Sequence, residues 1–192
     1  PSPINLTADS LNPSPWKGTV TFSINWDNPA DVSGIKRAWY KLGTMPTSNT
    51  DGVATFNRPF DITTDQIGSK TLYVWLEDNA SNINYNNKAS VQLRYDPTPP
   101  DSPKNLTADG NNPSLWKGTQ TFSIDWTNPG DYSGIKGAWY KLGSAPISNT
   151  NGIFVGSGIK PFNVTATQEN GQTLYVWLED NTGNRDYTHY ST

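Results

Sequence analysis

The chain has no cysteine among its 192 residues, one histidine, His189, and one methionine. Without cysteine there is no disulfide framework, no thiol nucleophile and no zinc–thiolate site. A lone histidine leaves no His-based triad and no multi-histidine metal cluster to assemble. No stretch approaches the ~20 consecutive apolar residues of a membrane-spanning helix. The net charge is -3 with no run of Lys or Arg, so nothing marks a nucleic-acid surface or an acidic lipid surface as a partner. No segment carries a convincing helical period. Catalysis is therefore not expected: carboxylate pairs such as Asp31 and Asp78 exist, but no acid–base constellation accompanies them.

What is abundant points elsewhere. Only 33% of residues are hydrophobic, yet 12% are aromatic and eight are tryptophan. Aromatic rings bury a large area each, so compact cores remain within reach of a chain poor in Leu and Ile. With 15 Pro and 16 Gly beside much Thr, Ser, Asn and Asp, the composition suits short strands joined by many turns.

An internal repeat organises the sequence. Residues 16–42 and 116–142 match at 21 of 27 positions, differing at Val20/Gln120, Asn25/Asp125, Asp27/Thr127, Ala30/Gly130, Val32/Tyr132 and Arg37/Gly137. The segment TLYVWLEDN recurs at 71–79 and 173–181, offset by 102 rather than 100, which places a two-residue insertion where 53–60 becomes 153–162. All eight tryptophans pair between the copies: Trp16/Trp116, Trp26/Trp126, Trp39/Trp139 and Trp75/Trp177. The Pro-rich run Pro97–Pro103 reads as a semi-rigid spacer. The expected organisation is one domain over 1–96, a linker over 97–103 and a second copy over 104–192 that lacks most of its last strand. The chain opens on the tail of the linker motif and stops where copy one continues into Val91–Tyr95, as a piece of a longer array would. That last strand is expected from sequence beyond Thr192 or from a neighbouring molecule.

Alternation supplies the faces. Phe22, Ile24 and Trp26 share one side of a half-buried strand. Ala38, Tyr40 and Leu42 do the same in the next strand, leaving Trp39 on the other side. Leu72, Val74 and Leu76 leave Tyr73 and Trp75 opposite. Phe22, Ile24, Trp26, Leu72, Val74 and Leu76 are the expected core of copy one, with Phe122, Ile124, Trp126, Leu174, Val176 and Leu178 in copy two. Short strands separated by turn signals such as Asp31-Val32-Ser33-Gly34 point to an all-β sandwich.

Several motifs carry a family resemblance. Pro3-Ile4-Asn5-Leu6-Thr7-Ala8 resembles the first strand of a fibronectin type III domain, as does a second strand ending in Trp26 with Pro29 soon after. Ser33-Gly34-Ile35 with Glu77-Asp78-Asn79-Ala80-Ser81-Asn82 is similar to the "D-x-S-G-I" and "D-x-A-G-N" loops of bacterial fibronectin-type and Ig-like repeats. The counterpart in copy two is Asp180-Asn181-Thr182-Gly183-Asn184. The resemblance implies two tandem Ig-like, fibronectin type III-like β-sandwiches covering nearly the whole chain. Such modules serve as stalks, spacers, adhesins and glycan-binding accessories alike, so the fold alone leaves the role open.

Two candidate sites follow. In such a sandwich the third and sixth strands are neighbours, so Trp39, Tyr73 and Trp75, with Trp139, Tyr175 and Trp177, form a strip on the outer face of one sheet. Exposed, each strip suits stacking on the rings of a polysaccharide or packing on a neighbouring subunit; a covering loop, or a register slip of one residue, would instead hide it. The second candidate is a calcium site built from loop oxygens at the junction: Asp96, Asp101, Asp131, Glu179, Asp180 and Asn181. Turn chemistry explains the same residues without an ion. No other cofactor is expected. The function these readings favour is a non-enzymatic extracellular or cell-surface repeat module, a stalk, spacer or adhesive segment whose partners are further copies of itself. A carbohydrate-binding accessory module of a secreted glycan-degrading enzyme, or a structural subunit of a filament or surface layer, remain as alternatives.

Overall fold

A computed structural model describes residues 1–156 and 160–192, and it divides into two compact units, Pro1–Asp96 and Pro97–Thr192. The expected two-residue insertion falls within 153–162, of which residues 157–159 lie outside the described residues. Among the described residues no helix is long and apolar enough to cross a membrane.

The first unit is built from β1 (Ile4–Ala8), β2 (Trp16–Lys17), β3 (Thr21–Asp27), β4 (Ile35–Leu42), β5 (Val53–Thr55), β6 (Phe60–Thr63), β7 (Gly68–Asp78) and β8 (Ala89–Tyr95), with one turn of 3-10 helix at Tyr85–Asn87. One sheet runs β1-β3-β6 and the other β2-β8-β7-β4-β5. Alternation along β3 sends Phe22, Ile24 and Trp26 inward, where they meet Leu72, Val74, Leu76, Val91 and Leu93 from the facing sheet. The Trp26 ring sits edge-on to Phe60, 6.1 Å between centroids, and its Nε1 donates to Asn28 Oδ1 at 2.9 Å, so the indole is buried with its polar atom satisfied. The fold is a fibronectin type III-like β-sandwich.

The second unit repeats it with β9 (Lys104–Ala108), β10 (Thr121–Thr127), β11 (Ile135–Leu142), β12 (Ile153–Gly156), β13 (Phe162–Thr165) and β14 (Leu174–Asp180). Its sheets run β9-β10-β13 and β12-β11-β14. Ile124, Trp126, Val176 and Leu178 are buried as expected, but Phe122 and Leu174 are only half-buried, whereas Phe22 and Leu72 are fully enclosed. The difference has a local cause. Among the described residues, no counterpart of β8 covers that side of the core, and β14 is paired there only by the bridge Val176–Ser191. The missing neighbour also shortens the strand, from eleven residues in β7 to seven in β14.

Candidate functional site

The aromatic strip lies on the expected sheet face but is not open. β4 and β7 pair antiparallel with Trp39 opposite Trp75, and β11 and β14 place Trp139 opposite Trp177. With Leu72, Val74 and Leu76 in the core, strand alternation turns Trp75 outward. There the segment 43–52, between β4 and β5, folds over it. Trp75 Nε1 donates to Asn49 O at 2.9 Å, and a Cβ on Gly52 would stand 2.6 Å from the tip of its indole and 2.5 Å from Tyr40 O. Only glycine lets this strap lie so close. Two further bonds hold it down: Asn49 Oδ1 accepts from Tyr85 N at 3.0 Å, and Asp51 accepts from Lys41 Nζ at 2.8 Å. The Lys41 ammonium, with the amide and hydroxyl of Thr47, holds the Asp51 carboxyl down to about 2.

Trp75 and Trp177 are both 0% exposed, so the reading of these two as ligand-stacking residues is corrected. The strap of the second copy repeats the arrangement, with Trp177 Nε1 donating to Asn149 O at 3.4 Å and Gly152 against the indole. Trp39, Trp139, Tyr73 and Tyr175 are half-buried.

Trp39 is engaged too. Its Nε1 donates to Glu77 Oε2 at 2.9 Å, and the Arg37 guanidinium lies over the ring at 5.0 Å. Glu77 also accepts from Arg37 Nε at 2.7 Å and Lys36 Nζ at 3.0 Å. Two successive residues reach one carboxylate because the β4–β7 register shifts between Ile35 and Arg37, a bulge that turns both toward the same side. The Arg37 bond, helped by those of Trp39 and Lys36, holds Glu77 down to about 2 against the opposite pull of burial.

In the second copy Gly137 replaces Arg37, and the guanidinium comes from Arg185, which bonds Glu179 and lies 4.9 Å over the Trp139 ring. Phe154 occupies the space that the glycine vacates: a Cβ on Gly137 would stand 2.8 Å from its ring. Burial pushes Glu179 upward, but the bonds from Lys136, Trp139 and Arg185 outweigh it and keep the carboxyl below its usual range. No correspondence between aligned positions pointed to Arg185, because its counterpart in the first copy is Ile83.

The paired loop motifs lock to each other. Asn79 N donates to Gly34 O at 3.0 Å and Asn79 Nδ2 to Ser33 O at 2.8 Å, while Asp78 accepts from both the amide and the side chain of Asn82. The Asn82 side chain first, and its amide after, hold Asp78 below the ordinary carboxylate range. In the second copy Asn181 Nδ2 donates to Ser133 O at 2.7 Å, and Asp180 accepts from the amides of Thr182 and Asn184. Of the calcium candidates in this unit, Asp131 and Asp180 bring carboxylate oxygens within 4.8 Å. Glu179 does not join them, because it neighbours Asp180 on a strand and so points to the other face, where it holds the cluster around Trp139. Asp101 is exposed, and Asn181 turns its amide to the Ser133 carbonyl. Asp96 ends the first unit, buried, its amide donating to Lys17 O at 3.0 Å. The loop carboxylates already accept from their own turns, as Asp and Asn commonly do.

Neither a family model nor a curated protein sequence matches the chain. Among solved structures, the chain is similar in fold to the fibronectin(III)-like modules of CbhA from Clostridium thermocellum, at 14% identity and a TM-score of 0.43, covering 97% of this chain and 89% of that one. It is likewise similar to a segment of two fibronectin type III domains from chicken tenascin, at 14% identity and a TM-score of 0.35, covering 99% and 94%. A third likeness is to the FN1–FN3 domains of chicken CNTN1, at 9% identity and a TM-score of 0.41, covering 91% and 61%.

Proposed function

We propose that each unit is a non-catalytic repeat module that spaces or joins parts of a larger extracellular or surface protein. Fibronectin type III-like modules are commonly spacer or adhesive parts of larger proteins, and are typically non-catalytic and extracellular. One observation supports the spacer reading most: the residues best suited to meet a ligand are spent on holding the module together. Trp75 and Trp177 lie under a strap, and Trp39 and Trp139 each carry a guanidinium over the ring and a carboxylate on Nε1. The second copy rebuilds that cluster from different positions, which is what a structural requirement permits and a ligand-reading surface resists.

The test is a glycan array with insoluble-polysaccharide pull-down on the wild-type chain and on Trp39→Ala/Trp139→Ala. A spacer is retained by no glycan in either form. Retention of the wild type by a glycan that the folded double variant fails to hold would overturn the reading and restore the stacking surface.

A further inference from the structure

The strap of the second unit carries an amide where the first carries an acid. Asp51-Gly52 in the first copy becomes Asn151-Gly152 in the second, and the chain holds one other Asn-Gly pair, Asn170-Gly171. An asparagine before glycine is open to attack by its own main chain, because no Cβ obstructs the glycine nitrogen as it approaches the side-chain carbon. Asn151 is half-buried, and its side-chain oxygen takes two donors, Lys141 Nζ at 2.6 Å and Ile147 N at 3.2 Å. An ammonium and a backbone amide can only donate, so both bonds fix the acceptor as Oδ1. They also stand where negative charge gathers when a nucleophile adds to Cγ, which is the arrangement of an oxyanion hole. Asn170 and Gly171 are exposed, and among the described residues no donor reaches the Asn170 side chain.

The first unit shows that an acid fits this place. Asp51 Oδ2 accepts from Lys41 Nζ, Thr47 N and Thr47 Oγ1, each at 2.8 Å. Lys141 stands as Lys41 does, but among the described residues its partners are two neutral oxygens, Asn151 Oδ1 and Ala145 O. An aspartate at 151 would give it a countercharge. Lys41 keeps Asp51 ionised at neutral pH, and a carboxylate anion offers a main-chain nitrogen no leaving group, so the change stops at the acid. The second strap is also the looser one, with Trp177 Nε1 3.4 Å from Asn149 O against 2.9 Å between Trp75 Nε1 and Asn49 O. That slack lets residues 151 and 152 rotate into reach of each other.

We propose that Asn151 is a self-modification site, at which attack by the Gly152 nitrogen converts the amide to an aspartate that pairs with Lys141. The Gly152 nitrogen gives its proton to water and adds to Asn151 Cγ. The Cγ–Nδ2 bond breaks, and ammonia leaves with a proton taken from water. Water then opens the five-membered imide by one of two routes. Addition at Cγ breaks the new Cγ–N bond and leaves aspartate. Addition at the main-chain carbonyl breaks the original peptide bond and leaves isoaspartate, with the chain running through the side chain. Lys141 and Ile147 polarise the Cγ carbonyl, so the folded strap favours the first route. The second route adds a methylene to a main chain already pressed on the Trp177 ring, where even a Cβ on Gly152 would stand at 2.4 Å.

The test ages the 192-residue chain in mildly alkaline buffer and maps its peptides by mass spectrometry with electron-transfer fragmentation, which tells aspartate from isoaspartate. A synthetic peptide of the sequence 146–155, and Asn170 in the same molecule, serve as references that lack the two donors. Position 151 of the folded chain is expected to convert mainly to aspartate, whereas the peptide and Asn170 give mainly isoaspartate. Lys141→Met is expected to slow conversion at 151 by about tenfold, short of the roughly hundredfold of a fully enclosed oxyanion donor. Lys141→Arg keeps a donor and is expected to keep the rate. Asn151→Asp should raise the midpoint of the second unit and leave the first unchanged. The product ratio in the unmutated chain decides the matter even where Lys141→Met fails to fold. An amide at 151 that persists while Asn170 converts, or that yields mainly isoaspartate, overturns the proposal. So does a rate indifferent to Lys141→Met in a folded chain, or a lower midpoint in Asn151→Asp.

Discussion

Replacing Trp75 with alanine separates a buried indole from a solvent-exposed one by a wide margin. The side chain is 0% exposed, touches the Gly52 backbone and donates its only polar hydrogen to Asn49 O at 2.9 Å. Truncating a Trp in such a site costs ~3–5 kcal/mol, since the lost transfer energy is joined by the cavity left behind. Were the ring exposed, the same change would fall within ~0.5 kcal/mol. In a unit of this size each kcal/mol moves the midpoint by roughly 4–8 °C, so a drop of at least about 12 °C is expected. Thermal unfolding followed by residue-resolved amide signals reads the first unit separately from the second, whose midpoint stays put. Amides of the strap, Asp51 and Gly52 among them, should exchange faster in the variant. A loss below about 1 kcal/mol with the strap amides unchanged would refute the packing argument.

The cluster at Glu77 predicts a pH dependence with a definite sign. Glu77 has a folded-state pKa held to about 2, below the usual 4.5, so it stabilises the first unit fully above pH about 4.5. That stability drains away as acid titration proceeds from there through about 2, and Asp51 acts in the same window. Glu77→Gln should flatten the fall in midpoint between those values; an unchanged slope would show that the carboxylate is not held down. The guanidinium exchange gives a second test. Arg37→Gly should destabilise the first unit by about 1.5–3 kcal/mol, the worth of hydrogen bonds to a charged group. Adding Ile83→Arg, at a position already bridged to Glu77, should recover more than half of it in chemical denaturation. No recovery would mean that the second copy is not held by Arg185.

Much of the fold was legible because strand alternation is a local property. The inward sets on β3, β4 and β7 follow from period two, and all appear in the core. The fate of Trp75 was not legible in that way, since its cover comes from a segment more than twenty residues earlier in the chain. A signal existed nonetheless: Ser48-Asn49-Thr50 followed by Gly52 recurs unchanged as Ser148-Asn149-Thr150 with Gly152. A loop free to drift has no need to repeat. Phe122 and Leu174 were expected in the core and are half-buried, since among the described residues no strand stands where β8 covers Phe22 and Leu72. Arg185 escaped notice because repeat alignment compares equivalent positions, whereas electrostatics requires only that a guanidinium reach Glu179 from somewhere.

The buried run at the end of β7 explains how so few aliphatic residues suffice. A strand with one wet face alternates between buried and exposed, yet Val74, Trp75, Leu76, Glu77 and Asp78 are all buried, as are Val176 through Asp180 in β14. Both faces of this strand are therefore covered: the inner by the opposing sheet, the outer by the strap and the basic residues around Glu77. The outer cover uses aromatic and charged groups rather than Leu or Ile, and it holds four of the eight tryptophans of a chain only 33% hydrophobic: Trp39, Trp75, Trp139 and Trp177. It follows that an outward-pointing indole here belongs to a second, smaller core. Any ligand wishing to stack on it would first have to lift a strap fixed by Asn49, Asp51 and a glycine that admits no substitute without moving the ring.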